Sequence, residues 1–274
     1  MTLEYADSHG HLTMVFEGGE MKGAPRDPTP AEVQELVTRA RDAGVTRILV
    51  PGTHRGDLRL AVDIAEAYEG VYAAVGIHPH EANEFDEDED LKLFAELCAS
   101  RKVVAVGEIG LDYHYDHSPK EAQRYALEAQ LRFAREKGLP VLLHNRESEQ
   151  DLLPILESLL PGDPGNLRGV FHSFCADQVT GQRALALGYL VSFSGMLTFK
   201  SADNVRDAAA ALPLDSMLLE TDAPYLAPAP FRGKPNESSY LPRTAARLAE
   251  LKNVPLEEVA RVTTDNFKRL FRVA

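Results

Sequence analysis

Two histidines near the start of the chain suggest metal chemistry. The segment "LEYADSHGHL" places His9 and His11 one residue apart at the end of an apolar run. Because alternate residues of a β-strand point to the same side, both imidazoles can enter one site. Imidazole nitrogens are common ligands of Zn²⁺ and other divalent transition metals. A His-x-His pair is short, however, and by itself is equally compatible with two polar residues that end a strand.

Residues of the same chemical types end four other apolar runs. The runs are "VVAVGEIGLD", "PVLLHNR", "GVFHSF" and "MLLETDAP", and the residues are Glu108, His144, His172 and Asp222. Each has an ordinary structural explanation, since a histidine there is often only hydrogen-bonded and Asp222 could cap a helix. Glu108 is harder to explain as a structural residue, because burying a carboxylate among apolar residues costs free energy unless it is paired, protonated or bound to a metal. The repetition at the ends of five runs favours one shared metal site.

The number of candidate ligands favours two metal ions over one. Four imidazoles and two carboxylates exceed the three protein ligands that a single catalytic metal commonly uses. We expect one ion to be held by His9, His11 and Asp222, and the other by His144 and His172, with Glu108 bridging them. A ligand set without thiolates admits Zn²⁺, Mn²⁺, Fe²⁺ or Co²⁺, and a more oxygen-rich environment would admit Mg²⁺.

Two such ions suit the hydrolysis of a phosphodiester. Two dications can activate a water molecule and stabilise the attacking and leaving oxygens together. Asp222 is the candidate general base, because a carboxylate beside both a metal and its water is well placed to accept the water's proton. Glu108 shares the catalytic assignment as the bridging ligand. Asp7 is expected to orient one of the imidazoles from behind.

The elements that must position these residues alternate regularly along the chain. Eight apolar, β-branched-rich runs are each followed by a polar or glycine residue, and amphipathic segments such as 30–44, 57–70 and 119–138 lie between them. Continuous apolar strands are typical of a parallel sheet covered on both faces. The pattern predicts an α/β fold, a single TIM-like (β/α)8 barrel over residues 1–274, with the active site at the carboxyl ends of the strands. A doubly wound open sheet is the alternative. Residues 14–30 and 227–242, rich in glycine or proline, are predicted to be long loops.

Composition limits the partners and the compartment. The chain has 274 residues and a formal net charge of −13, the wrong sign for broad phosphate neutralisation, so any nucleic acid must be bound locally. Cys98 and Cys175 are the only cysteines, which excludes a disulfide framework and a thiolate zinc site. No signal-peptide pattern and no apolar run of membrane-spanning length is present. We expect a cytoplasmic protein with no membrane contact and no obligate protein partner.

With these residues in view, the chain resembles the TatD-type metal-dependent deoxyribonucleases of the amidohydrolase-like superfamily. The matching segments are "DSHGHL", "VGIHPH", "AVGEIGLDYH", "LPVLLHNRE", "FHSF", "LLETDAPYL" and "RGKPNE", in that order and across nearly the whole chain. "GEIGLDYH" followed by "ETDAPYL" is the most specific part. The resemblance implies a TIM-like barrel, a dinuclear divalent-metal site (Mg²⁺, Mn²⁺ or Zn²⁺), and hydrolysis of DNA, often single-stranded and from the 3′ end.

The resemblance also assigns residues. The family's metal ligands fall on the six positions already chosen, and its substrate-contacting positions fall on His78, Arg232, Gly233, Lys234, Asn236 and Glu237. Some details depart from the family pattern: "FHSFCAD" follows the sixth strand, and the first loop is long. These departures concern loops that shape the pocket above a barrel, and therefore substrate preference. The alternatives are a small-molecule amidohydrolase or lactonase on the same barrel, and an inactive metal-binding protein.

Overall fold

Eight strands form one sheet in which each strand pairs in parallel with the next along the chain. The computed structural model describes residues 3–17, 21–159 and 168–274. The strands are β1 (Tyr5–Asp7), β2 (Val45–Pro51), β3 (Val71–Val75), β4 (Val103–Asp112), β5 (Val141–Arg146), β6 (Gly169–Phe171), β7 (Tyr189–Phe193) and β8 (Met217–Leu219).

The sheet closes on itself where the first strand meets the last. The Ser8 backbone N–H donates to the Leu219 carbonyl at 3.0 Å, and an isolated parallel bridge joins Gly10 to Ala223. All ten residues of β4 and all five of β7 are buried, as expected for a parallel sheet covered on both faces. The predicted (β/α)8 barrel is therefore confirmed, and the doubly wound alternative is wrong.

Helices follow the strands and cover the outside of the barrel. They are α1 (Pro30–Asp42), α2 (Leu58–Ala67), α3 (Glu87–Leu97), α4 (Lys120–Lys137), α5 (Glu149–Leu159), α6 (Gln178–Ala186), α7 (Asp203–Ala211), α8 (Leu241–Lys252) and α9 (Leu256–Phe271). The three amphipathic segments singled out in the sequence form α1, α2 and α4. Within the described ranges, no helix combines the length and the apolar character needed to cross a bilayer.

A small apolar cluster fills the inside of the barrel near its amino-terminal end. Every strand contributes to it, and three residues of α9 pack against it: Phe267, Leu270 and Phe271. Several of its strand members, such as Ala6, Val104 and Leu190, are the second residues of their strands. The terminal helix thus closes the amino-terminal opening of the barrel, which leaves the carboxyl ends of the strands as the open face.

Three of the strands are shorter than the apolar runs suggested. β1, β6 and β8 have three residues each, so His9, His11, His172 and Asp222 lie in the first residues of the following loops. The backbone continues in register there, since His11 N donates to the Ala223 carbonyl and Asp222 N to the His9 carbonyl, both at 2.8 Å. Hydrogen bonds between the loops thus hold these side chains at the barrel mouth.

The two predicted loops are only partly irregular. Residues 14–30 contain an antiparallel bridge between Val15 and Arg26, and residues 18–20 of this loop lie outside the described ranges. Residues 227–242 contain a short 3-10 turn at Ser238–Tyr240, and Leu241 and Pro242 already belong to α8. A proline in the first turn of a helix costs no hydrogen bond, which explains why Pro242 can be the second residue of α8 instead of ending a loop.

Candidate metal centre

His9 and His11 point into one site at the open end of the barrel. Their Nε2 atoms lie 3.1 Å apart, and both residues are buried. Each Nδ1 atom is also buried and has no hydrogen-bond partner among the described residues. Two ring nitrogens this close cannot both carry a proton toward the other, so at least one of them presents a lone pair to the site.

Glu108 lies at the centre of the site and its two oxygens face different groups of nitrogens. Oε2 lies 3.3 Å from His9 Nε2, whereas Oε1 lies 2.9 Å from His144 Nδ1 and 3.0 Å from His172 Nε2. The carboxyl group is 4% exposed. This is the geometry in which one carboxylate can contact two neighbouring ions.

Two further carboxylates hold the imidazoles on the far side of Glu108. Asp112 Oδ2 lies 3.0 Å from His144 Nε2, and Glu220 Oε1 lies 3.2 Å from His172 Nδ1. Each imidazole therefore has one nitrogen on a carboxylate and the other directed at Glu108. Metal-ligating histidines commonly have their second nitrogen fixed by a carboxylate in this way.

Asp222 completes the cluster from the β8 side. Its Oδ1 lies 3.7 Å from His9 Nε2 and 3.6 Å from His11 Nε2, and its side chain is 16% exposed. The residue has a φ of 56°, a left-handed conformation that is uncommon for a residue other than glycine. Asp222 is thus held where its carboxylate can reach both the ligand nitrogens and the open cavity.

His78 joins the cluster too. Its Nε2 lies 3.4 Å from Glu108 Oε1 and 3.4 Å from His144 Nδ1, so it belongs with these two residues among the atoms that could hold a metal. The sequence assigned His78 to substrate binding. Its place beside the candidate ligands is compatible with that role, which stays a prediction.

The electrostatics of the cluster fit a cationic occupant. Burial works against the charged form of His172, but the carboxylates of Glu108 and Glu220 more than compensate and hold its pKa well above the usual range. The nearby imidazoles likewise hold the pKa of Glu108 well below its usual range, in spite of its burial. Burial lowers the pKa of His78 to about 4, which keeps that ring neutral. Neutral imidazoles and ionised carboxylates are the forms that bind metals, so a bound cation would replace the proton that Glu108 and Glu220 favour on His172.

The ligand atoms form three overlapping groups with separations below 4.8 Å: His9, His11 and Glu108; His9, His172 and Asp222; and His78, Glu108 and His144. All six predicted ligands therefore meet in one cluster. The rings of His9 and His172 stack at 3.9 Å, so His172 is also close to the first predicted ion position. The division of these ligands between two ions stays a prediction.

A cavity of about 910 Å³ opens above the cluster. Its lining includes loop residues together with Glu108, Asp222, His11, His78, His144 and His172. A second cavity of about 480 Å³ adjoins it and shares His11 and Met14 with it. Together the cavities could hold a ligand longer than the metal cluster itself.

The predicted substrate loop borders the second cavity. Lys234, Asn236 and Glu237 line it, and Gly233 has a φ of 85°. The Arg232 guanidinium lies 3.5 Å from the centre of the Phe199 ring. Their contact with substrate stays a prediction.

Two members of that loop have structural contacts. The Asn236 amide is buried and donates to the Thr221 carbonyl at 2.7 Å, which ties the loop to the end of β8. The Glu237 carboxylate accepts hydrogen bonds from Arg39 of α1, at 3.1 and 2.9 Å from Nε and at 2.7 Å from Nη2.

The expected role of Asp7 is wrong. Its carboxylate accepts from Thr221 N at 2.9 Å, from Thr221 Oγ1 at 2.6 Å and from Ser238 Oγ at 2.7 Å, and it contacts the His9 backbone instead of a ring. Asp7 therefore joins β1 to the segment after β8.

The orienting carboxylates that sequence reasoning missed are Asp112 and Glu220. Asp112 stands in "GEIGLD" and Glu220 directly follows β8, so their positions after buried strands were the available signal.

A (β/α)8 barrel with a histidine and carboxylate cluster at its open end is the architecture of a metal-dependent hydrolase. The chain belongs to the family described as TatD related DNase, whose model matches residues 6–272. It is a metal-dependent hydrolase of that family.

Individual relatives cover almost the whole chain. The uncharacterized metal-dependent hydrolase YabD of Bacillus subtilis is 38% identical over 97% of this chain and 98% of its own. A protein of Pantoea vagans named 3′-5′ ssDNA/RNA exonuclease TatD is 37% identical over 88% of this chain and 94% of its own. The crystal structure of the Escherichia coli TatD homologue YjjV has a TM-score of 0.88 and 35% identity, with full coverage of both chains.

Proposed function

We propose that this protein is a divalent-metal-dependent phosphodiesterase that removes nucleotides from the 3′ end of DNA in the cytoplasm. The observation that carries the proposal is the position of Glu108, with its two oxygens between two groups of imidazoles at the mouth of the barrel. The relative named as a 3′-5′ exonuclease supports the choice of bond and direction. The free thiols of Cys98 and Cys175 agree with a reducing compartment.

The ligand residues divide by their position around Glu108. We assign His9, His11 and Asp222 to one ion and His144 and His172 to the other, with Glu108 between them. Bound Mg²⁺, Mn²⁺ or Zn²⁺ would lower the pKa of a water molecule and stabilise the oxygens of the phosphodiester. Asp112 and Glu220 keep His144 and His172 in the orientation that presents a nitrogen to Glu108.

Asp222 is the residue we assign as general base. Its carboxylate is next to the ligand nitrogens and is the more exposed of the two predicted catalytic carboxylates, with 16% of the side chain accessible against 4% for Glu108. Its pKa is held below the usual range because the imidazoles of His11, His172 and His9 outweigh its burial. The carboxylate is therefore ionised at neutral pH and can accept a proton from an attacking water.

The test is a metal-reconstitution assay. Purified protein is stripped with a chelator, reloaded separately with Mg²⁺, Mn²⁺ or Zn²⁺, and incubated with 5′-labelled single-stranded DNA. We expect progressively shortened labelled products with at least one metal and none with the stripped protein. A matched oligonucleotide with phosphorothioate linkages at its 3′ end should resist shortening, which separates exonuclease from endonuclease cleavage.

The assay includes a panel of small amides, esters and lactones. Turnover of an amide or lactone with no release of nucleotides under any metal would replace the nuclease assignment by an amidohydrolase one. Asp222→Asn is the site control: it should retain most of its metal and lose about 10²-fold or more in kcat, the range expected for removal of a general base. A near-normal rate would remove Asp222 from that role.

A further inference from the structure

The cavity above the metal cluster has one permanently charged cation among its described lining residues, and that residue is Arg146. Arg146 is the last residue of β5, two positions after His144. Because alternate residues of a strand point to the same side, its side chain leaves the strand on the side of that ligand, about 7 Å further along the strand. Arg146 thus stands between the metal cluster and the cavity mouth.

The Arg146 guanidinium lies beside an aromatic ring and is not paired with a carboxylate among the described residues. Among the described residues no carboxylate forms a salt bridge with it and no acceptor takes a hydrogen bond from it, and its guanidinium carbon lies 4.9 Å from the centre of the Tyr115 ring. Tyr115 also lines the cavity and is 45% exposed. A guanidinium stacked near an aromatic ring keeps all five N–H donors available, and the ring restricts its motion.

The described lining of the cavity contains carboxylates that could pair with Arg146, yet none of them does. Glu81, Glu147 and Glu149 line the same cavity. Glu147 is paired with His114 at 2.7 Å, and none of the three is paired with Arg146 in the described chain. An arginine that leaves neighbouring carboxylates unpaired and faces a cavity presents its donors to a ligand. Phosphate, like carboxylate, has the oxygen geometry that a planar guanidinium fork binds through two parallel hydrogen bonds.

We infer that Arg146 binds a phosphate group of the substrate, and that Tyr115 is a positioning residue that holds the guanidinium in the cavity. The inference rests on the proposed phosphodiester substrate and deepens it. It also places the phosphate contact of this cavity on Arg146 and not on Arg232, which is not among the described residues that line it. A neutral amide or lactone would have no use for such a cation.

The test measures binding, so that it is independent of turnover. Thymidine 5′-monophosphate, a monoester product mimic, and thymidine, which lacks the phosphate, are titrated by calorimetry into metal-reloaded protein. In Arg146→Gln we expect the affinity for the monophosphate to fall about 10–100-fold, the range for a hydrogen-bonded charged group, with thymidine unaffected. Arg146→Lys should recover part of the loss, because it restores the charge without the bidentate fork.

Matched variants separate a phosphate contact from a general effect. Arg261→Gln on α9 removes the same charge far from the cavity and should bind both ligands as the wild type does. Tyr115→Leu should weaken monophosphate binding, whereas Tyr115→Phe keeps the ring and should not. Metal content and melting temperature are measured for every variant.

Three outcomes would overturn the inference: unchanged monophosphate affinity in Arg146→Gln, an equal loss for thymidine, or a wild type without preference for the monophosphate. Failure of the proposed function looks different. In that case DNA is not cut with any metal, while the preference for the monophosphate and its dependence on Arg146 persist.

Discussion

At the scale of single residues, the clustering of the six candidate ligands could be predicted because each follows a buried apolar run, a feature that is visible in the sequence. The carboxylates that hold the imidazoles in place could not be predicted. Asp112 and Glu220 contact imidazoles 32 and 48 positions away in the chain, so their partners depend on which strands become neighbours. Asp7 was misassigned for the same reason, since its hydroxyl partners come from beyond β8.

Substitution of Glu220 tests how much the carboxylate behind His172 contributes to metal affinity. Glu220→Gln removes the charge that fixes the Nδ1 side of His172, and we expect metal affinity to fall about 10–100-fold, as for other carboxylates behind a ligating histidine. Competition with a fluorescent chelator measures this affinity. Asp112→Asn should act similarly through His144, and Glu157→Gln on the outer helix α5 is the matched control. Wild-type affinity in a folded Glu220→Gln protein would show that His172 needs no such partner.

At the scale of elements, the eight runs and the helices between them could be predicted from periodicity. The ends of β1, β6 and β8 could not, because the strands stop where the chain leaves the sheet to form the site. The contact of Arg232 with Phe199 was equally invisible, since it joins loops that follow β8 and β7. The sequence shows that the loop contains an arginine, but it does not show which aromatic ring the guanidinium will contact.

The contact between β4 and β5 gives a prediction at this scale. A Cβ atom at Gly110, whose φ is 153°, would lie 1.9 Å from the His144 carbonyl oxygen, whereas at Gly138, with φ 66°, it would meet nothing within 4 Å. We expect Gly138→Ala to cost about 1 kcal/mol from its left-handed backbone alone. Gly110→Ala should cost more than twice as much and also weaken metal binding, because β5 and His144 must move.

Urea denaturation of the two alanine variants measures the difference, with metal affinity read in parallel. Equal losses of unfolding free energy would mean that the strand contact tolerates the methyl group. Wild-type metal affinity in a destabilised Gly110→Ala protein would mean that His144 is not displaced.

At the scale of the whole molecule, the net charge of −13 sets how nucleic acid can be held. Arg146 is the one arginine or lysine among the described residues that line the cavity above the metal cluster, so few phosphates can be neutralised there. We expect the logarithm of kcat/KM for single-stranded DNA to fall with the logarithm of salt concentration with a slope of only about −1 to −2, corresponding to one or two neutralised phosphates.

Length dependence checks the same expectation. Oligothymidylates of four and twenty nucleotides should have similar KM values at constant salt, with an equal concentration of 3′ ends as the control. A salt slope near −5, or a KM that falls steeply with length, would reveal an extended binding surface that contradicts local recognition.

The closure of the barrel has a consequence for how the protein is made. Asp7 is bonded to Thr221, 214 positions later, and to Ser238, 231 positions later, and α9 then covers the opposite opening. During synthesis His9 leaves the ribosome long before Asp222 does, so the nascent chain holds only part of its ligand set. The histidine and carboxylate cluster is therefore complete only when synthesis is nearly finished, and we expect shorter nascent chains to lack the proposed nuclease activity.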